Sequence, residues 1–156
     1  MMWKTNFNGA MFPESDQAGI GVVVRNQAGQ VMAALSKRIQ KPGSAEILEA
    51  LAGRRAVQFI LELGFKQPVF KGDSEVIIKA LDNEVFSSPS VGHIVKDIWS
   101  MSGLLQTKSF SYVRSQGNFV AHALTQRVRF SSPVLVWMED VPPDILCFVS
   151  SNLPSF

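Results

Sequence analysis

Apolar and polar residues alternate, or apolar residues run together, over three short segments at the start of the chain. The segments are Trp3–Asn8, Ala18–Arg25 and Gln30–Ser36, and each has the length of a β-strand. The last two are separated by Asn26–Gly29, a stretch with the residues of a hairpin turn. Strands joined by short connections are usually antiparallel neighbours. The pattern therefore predicts three antiparallel strands.

The spacing of apolar positions changes to three and four residues after Gly43, which is typical of an amphipathic helix. Ser44 is its predicted N-cap and Gly64 its predicted end. The positions at this spacing form one mostly apolar face, which is predicted to pack on the sheet: Leu48, Leu51, Ala52, Arg55, Ala56, Phe59 and Leu63.

The second half of the chain alternates between strand and helix patterns. Strands are predicted at Val69–Lys71 and Lys108–Val113, with helices starting near Val76, Pro89 and Asn118. Right-handed crossovers place such strands parallel to one another in one sheet. The predicted fold is therefore α/β, with a five-stranded mixed sheet in which three antiparallel strands are followed by parallel crossovers.

The length of 156 residues suits one domain, which we place at residues 1–130. Residues 131–156 are rich in Pro and Ser, and we interpret them as an irregular C-terminal arm that packs on the domain or trails it. No apolar run could span a membrane, and the start lacks an apolar signal segment. Cys147 is the only cysteine, so no internal disulfide is possible, and we expect an intracellular protein, in the nucleus or the cytoplasm. We also expect a monomer. The formal net charge of +2 says little about partners.

Asp73 follows the strand pattern at Val69–Lys71 and precedes a helix pattern. In α/β sheets, ligands and metals gather outside the carboxyl ends of strands, which makes this carboxylate a candidate site residue. Aspartate is also a common N-cap, so a purely capping role is the alternative interpretation.

Several segments of the chain resemble, in the right order, the ribonuclease H family and in particular its plant reverse-transcriptase-like branch, which is derived from retroelements. The resemblance covers nearly the whole chain. Its segments are Phe7-Asn8-Gly9-Ala10, Ala45–Ala52 with Glu49, Gly72-Asp73-Ser74, Val113–Leu124 and the tail around Trp137-Met138-Glu139-Asp140. The resemblance implies the ribonuclease H arrangement, with helices on both faces of the sheet.

The resemblance implies hydrolysis of the RNA strand of an RNA–DNA hybrid by an endonuclease with two Mg²⁺ (or Mn²⁺) ions. Such a pair of cations needs several anionic oxygens from separate elements. The four acidic positions of the family correspond here to Asn8, Glu49, Asp73 and His122. Glu49 and Asp73 are therefore the candidate catalytic and metal-binding residues. Asn8 brings no charge, and the imidazole of His122 suits Mn²⁺ or Zn²⁺ better than Mg²⁺, so we expect weakened or absent cleavage.

Each of these residues also has an ordinary structural interpretation. Glu49 could lie on a solvated helix face, His122 could be a packed helix histidine, and Asn8 could bond the turn that follows its strand. The sequence leaves these alternatives open.

Binding of nucleic acid needs less than cleavage does, because backbone contacts tolerate the loss of a metal site. The resemblance implies that a hybrid lies across the open face near the strand ends. The candidate contacts are Asn8, Arg114, Asn118, Lys37 and Arg38. The alternative function is a domesticated, non-catalytic module that binds nucleic acid or a protein partner through the same surface. A third possibility is an active nuclease in which Glu49, Asp73 and His122 hold Mn²⁺.

Overall fold

The computed structural model describes residues 2–83, 88–129, 133–139, 141–142, 144–145 and 149. Cys147 and Asp140 lie outside the described residues. Within these ranges the strands are β1 (Trp3–Met11), β2 (Gln17–Arg25), β3 (Val31–Gln40), β4 (Pro68–Gly72), β5 (Ser109–Tyr112) and β6 (Val134–Met138). The helices are α1 (Ala45–Leu63), α2 (Glu75–Asn83), α3 (Pro89–Ser102) and α4 (Phe119–Arg127), which a 3₁₀ turn at Ser115–Asn118 precedes.

The six strands form one mixed sheet in the order β5-β4-β1-β2-β3-β6. β1, β2 and β3 are antiparallel, with Asn8 opposite Gly21 and Gly21 opposite Ser36. β4 runs parallel to β1, and β5 runs parallel to β4. The carboxyl ends of β1 and β4 therefore lie side by side at one edge of the sheet. The predicted α/β class and mixed sheet are confirmed.

The sheet has one strand more than the five that the sequence pattern predicted. β6 pairs antiparallel with β3, with Val136 opposite Leu35. An irregular arm is therefore the wrong description for Val134–Met138. The segment contains β-branched and aromatic residues that suit a pleated surface, and the free edge of β3 offers them backbone partners. β3 is also longer than predicted, so Lys37 and Arg38 lie inside it and not after it.

Helices cover both faces of the sheet, as predicted. α1 packs on one face of the sheet and α3 packs against α1. The larger core on this side contains Phe7, Leu35 and Phe70. The opposite face carries α4 and a smaller apolar cluster formed by Val23, Ala34, Val120, Ala121, Leu124, Val141 and Ile145. No helix among the described residues has the length and apolar character to cross a membrane.

Two local features of α1 agree with the prediction. The Ser44 side chain accepts a hydrogen bond from the backbone N–H of Ile47, which satisfies one of the free donors at the helix start. Gly64 ends the helix in the left-handed conformation, with φ of 72°, where a residue without Cβ avoids strain.

α4 rests directly on the backbone of β2. A Cβ atom on Gly21 would lie 2.1 Å from the carbonyl oxygen of Ala121, and one on Gly19 would lie 2.3 Å from that of Thr125. Only glycine allows so close an approach. The two glycines therefore set the height of α4 above the sheet, and with it the position of His122.

Candidate functional site

A cleft opens where the carboxyl ends of β1 and β4 meet α1 and α4. It has a volume of about 340 Å³. Its lining residues are Asn8, Gly9, Glu49, Asp73, Ser115, Phe119 and His122. The four positions that the resemblance matches to acids of the ribonuclease H family thus face one cleft. Their elements meet at one sheet edge, and the catalytic and metal-binding roles of Glu49 and Asp73 stay predictions.

Asn8 and Asp73 contact each other across the parallel strands β1 and β4. Asn8 Nδ2 donates a hydrogen bond to Asp73 Oδ2 over 2.9 Å, and Asn8 is only 4% exposed. Because an ionised carboxylate can only accept, it is the N–H side of the amide that faces Asp73. The amide therefore stabilises the Asp73 carboxylate by a hydrogen bond and adds no charge at the strand ends.

Asp73 does not cap α2, contrary to the alternative drawn from its sequence position. Ser74 Oγ accepts a hydrogen bond from the backbone N–H of Ile77 over 3.4 Å, which is the geometry of an N-cap. Asp73 lies one residue before this cap, so its carboxylate is available to the cleft.

Glu49 lies in the first half of α1, and its carboxyl group is aimed at the end of β1. Its Oε1 accepts a hydrogen bond from the Gly9 backbone N–H over 3.2 Å. Oε2 is buried and has no hydrogen-bond partner. Burial and, secondarily, the nearby Asp73 raise the pKa of Glu49 to about 8, although the Gly9 N–H opposes the shift. Glu49 is therefore largely protonated at neutral pH, and the interpretation as a solvated surface residue is wrong.

His122 is exposed on α4 and lines the cleft, so the interpretation as a packed helix histidine is also wrong. Phe119 lies three residues earlier on the same side of α4 and is 49% exposed. Phe119 was not predicted as a site residue. Its spacing of three from His122, outside the apolar positions Val120 and Leu124, was the available signal.

The polar groups of the cleft do not fit a pair of divalent cations. Two such ions need several anionic oxygens converging from different elements. The cleft provides only two carboxyl groups, Glu49 and Asp73, and the Asn8 amide presents its N–H to Asp73. Within the ranges that the structure describes, no three or more His, Cys, Asp or Glu side chains are grouped to hold a metal ion. We therefore derive no metal-dependent step for this chain.

Asn118 is buried and serves the fold. Its Nδ2 donates to the Phe7 carbonyl oxygen over 2.9 Å, and its Oδ1 accepts from Asn6 Nδ2 over 2.9 Å. These two bonds tie the start of α4 to β1. The prediction that Asn118 contacts nucleic acid is not supported, because its side chain is buried and both of its polar atoms are bonded.

The predicted basic contacts are spread over different surfaces. Arg114 is exposed and directly precedes Ser115, which lines the cleft. Lys37 lines a separate cavity of about 240 Å³ beside α1, together with Arg54 and Arg55. Its neighbour Arg38 points to the other face of the sheet, where it donates to the Val128 carbonyl oxygen over 3.3 Å. Lys37 and Arg38 thus do not belong to one contact surface, because neighbouring residues of a strand face opposite ways.

Comparison with known proteins agrees with the fold. A family model described as reverse transcriptase-like matches residues 6–128. The structure is similar to RNase H1 of the halophilic archaeon Halobacterium salinarum NRC-1, with a TM-score of 0.75 and 20% identity over 81% of this chain and 96% of that one. It is also similar to LC11-RNase H1, solved in complex with an RNA/DNA hybrid, with a TM-score of 0.73 and 18% identity over 80% of this chain and 94% of that one. The LC11 protein was isolated from compost by a metagenomic approach.

A third similar structure is the N-terminal RNase H domain of a Mycobacterium tuberculosis protein, with a TM-score of 0.72 and 15% identity over 81% of this chain and 91% of that one. A search of curated proteins found no significant match.

Proposed function

Because the chain belongs to the reverse transcriptase-like family and has the RNase H fold, we propose that it binds nucleic acid, with an RNA–DNA hybrid as the preferred partner, and that it cleaves the hybrid weakly or not at all. Descent from a retroelement and a plant source belong to the same proposal, since both are implied by the resemblance of its motifs. Glu49 and Asp73 are the proposed site residues.

The observation that carries the proposal is the hydrogen bond between Asn8 and Asp73. A charged acid at residue 8 would repel Asp73 and would attract a cation to the end of β1. The amide instead satisfies Asp73 directly over 2.9 Å. The Asp73 carboxylate thus has a partner without a bound cation, which supports weak or absent hydrolysis.

The open side of the cleft supports contact with a polynucleotide. Phe119 offers an aromatic face of the kind on which bases stack. Arg114, next to the cleft-lining Ser115, offers a guanidinium group suited to phosphate. Of the similar structures, LC11-RNase H1 has been solved with an RNA/DNA hybrid bound.

Binding and cleavage are tested separately on the same protein. Fluorescence anisotropy with an RNA–DNA hybrid, double-stranded DNA and double-stranded RNA of one sequence measures binding in EDTA. We expect the hybrid to bind most tightly and affinity to fall as salt rises, because phosphate contacts release counterions. Equal affinity for all three duplexes would overturn the preference for hybrid. Absence of binding at low salt would overturn the nucleic-acid function and favour the protein-binding alternative.

Cleavage is measured on the same hybrid in Mg²⁺ and in Mn²⁺. We compare the unaltered protein with Asn8→Asp, with the double variant Asn8→Asp/His122→Asp, and with Asp73→Asn. We expect no or slow cleavage by the unaltered protein and faster cleavage by the double variant. Efficient cleavage by the unaltered protein that disappears in Asp73→Asn would overturn the proposed loss of activity.

A further inference from the structure

β6 is an edge strand that lies outside the residues matched by the family model, which end at residue 128. It occupies one end of the sheet order and, among the described residues, pairs only with β3. Edge strands present a row of unpaired backbone groups and are usually protected from pairing by charge, proline or irregularity. β6 spans Val134–Met138 and contains no charged residue and no proline.

The outward backbone groups of β6 can be assigned from its ladder with β3. The Pro133 carbonyl oxygen accepts from the Arg38 N–H over 2.7 Å, and the Glu139 N–H donates to the Met32 carbonyl oxygen over 2.8 Å. In an antiparallel strand, the backbone N–H and C=O groups of successive residues point alternately to the neighbouring strand on one side and to the other side. The N–H and C=O groups of Val134, Val136 and Met138 therefore point away from β3.

The side chains of these three residues form an exposed apolar stripe. Val134 is 47% exposed, Val136 is 49% exposed and Met138 is 56% exposed. They lie on one face because side chains alternate along a strand. The other edge differs: β5 has only four residues, two of them serines, and Lys108 directly precedes it. β6 lies between Pro133 and Glu139, but its own five residues include no charge, proline or serine.

We propose that β6 pairs antiparallel with β6 of a second copy of this chain, about a two-fold axis through Val136. Val136 then lies opposite its own copy, and Val134 of one chain lies opposite Met138 of the other. All three are residues whose backbone groups point outward, so the pairing closes about six hydrogen bonds. The two apolar stripes merge on one face of a continuous sheet that takes six strands from each copy.

The charges around β6 favour a second copy as the occupant. Glu139 directly follows the strand, and in this register it lies opposite Pro133 of the other chain, so the two glutamates do not meet. β6 itself brings no charge that self-pairing would have to bury. A strand of five residues buries less than the roughly 1,000 Å² of a stable interface, so the dimer is reversible, with a Kd of about a micromolar or weaker.

Sedimentation velocity of the full chain over a range of concentrations tests the pairing. We expect the sedimentation coefficient to rise with concentration for the unaltered protein. Val136→Lys places two ammonium groups opposite each other on the axis and should keep the protein monomeric. Leu104→Lys is the matched control, because Leu104 is 78% exposed and lies in the turn after α3. A monomer at all concentrations, or equal loss of association in both variants, would overturn the proposal.

Cross-linking tests the register of the β6 pairing without adding a charge to the strand. In a Cys147→Ser background, Val136→Cys should give a covalent dimer with a short bismaleimide, whereas Leu104→Cys should not. Equal yields from the two cysteines would contradict pairing through β6. Hybrid binding is not expected to change in Val136→Lys, so failure of the dimer and failure of the proposed function are separately visible.

Discussion

Asn8 Nδ2 and Asp73 Oδ2 are 2.9 Å apart and form a hydrogen bond between the ends of two parallel strands. An acid at residue 8 would make this contact repulsive. Two carboxyl groups at hydrogen-bond distance need either a cation between them or a shared proton. The amide removes that requirement. The contact therefore links the loss of one charge to the stability of the cleft in the absence of metal.

Asn8→Asp should make the stability of the protein depend on divalent cations. The variant loses a partly buried hydrogen bond and gains repulsion, which we expect to cost about 1–3 kcal/mol and to lower the Tm by roughly 5 °C in EDTA. Millimolar Mg²⁺ or Mn²⁺ should restore most of this loss. Thermal unfolding followed by circular dichroism measures both effects.

Asn26→Asp makes the same chemical change in the β2–β3 turn, where the Asn26 side-chain oxygen accepts from the N–H groups of Ala28 and Gln30. An aspartate keeps that acceptor, so we expect no dependence on metal. A variant at residue 8 that is equally stable with and without cations would contradict the interpretation of its contact with Asp73.

Glu49→Gln should stabilise the protein most at alkaline pH. The pKa of Glu49 is raised from its ordinary value of 4.5 to about 8 in the folded state. The folded protein therefore holds a proton that the unfolded chain has released, and the free energy of unfolding falls as pH rises from about 4.5 to about 8 and then levels off. Glutamine cannot ionise, so the variant should exceed the unaltered protein by about 2–4 kcal/mol at pH 9.

Urea unfolding at pH 5, 7 and 9 gives this profile directly. Glu46→Gln is the control, because Glu46 lies in the first turn of the same helix but does not line the cleft. We expect no gain in stability at pH 9 for Glu46→Gln. The same absence of a gain for Glu49→Gln would contradict the raised pKa of Glu49.

Phe119 should contribute to binding through its aromatic face. Phe119→Ala is expected to weaken hybrid binding by about 5- to 150-fold, since stacking of one base is worth about 1–3 kcal/mol. Phe119→Tyr should bind like the unaltered protein, and Phe119→Leu should bind like the alanine variant if the ring and not the apolar volume matters. Anisotropy titrations at fixed salt compare the three. Equal affinities in all variants would exclude Phe119 from the interface.

Gly21→Ala should destabilise the fold strongly and displace α4. The added Cβ would lie 2.1 Å from the Ala121 carbonyl oxygen, which belongs to helix backbone and cannot turn aside. We expect a loss of about 3 kcal/mol. At Gly43 a Cβ would meet only Ile47 Cδ1, at 3.9 Å, so Gly43→Ala is the matched control and should change stability little. Urea unfolding of the two variants tests whether close backbone contact positions the helix.

The parts of the fold that were predicted from sequence depend on local signals. Ser44 and Gly64 mark the ends of α1 through hydrogen bonds and dihedral angles set within a few residues. β6 was not predicted, because its flanking prolines and serines resemble a loop and its partner, β3, lies about 100 residues earlier in the chain. Pairing of that kind depends on which strand edge remains free once the rest has folded.

The candidate site, like the fold, could be predicted only in part from the sequence. The order of motifs was enough to place Glu49 and Asp73 at one sheet edge, and the cleft contains both. Burial could not be predicted in this way. Asn118 was expected at the surface, yet its partners Asn6 and Phe7 are more than 100 residues away in sequence. Whether a polar side chain is hydrogen-bonded inside the protein or faces a ligand depends on such distant contacts.

The position of β6 has a practical consequence for where the chain can be cut. A fragment that ends at residue 128, with the family match, would leave the ten-residue β3 as a bare edge. It would also remove Val141 and Ile145 from the apolar cluster under α4. Such a fragment would expose strand edge and core surface together, which is the combination that drives aggregation. The smallest unit that keeps both covered extends to at least residue 145.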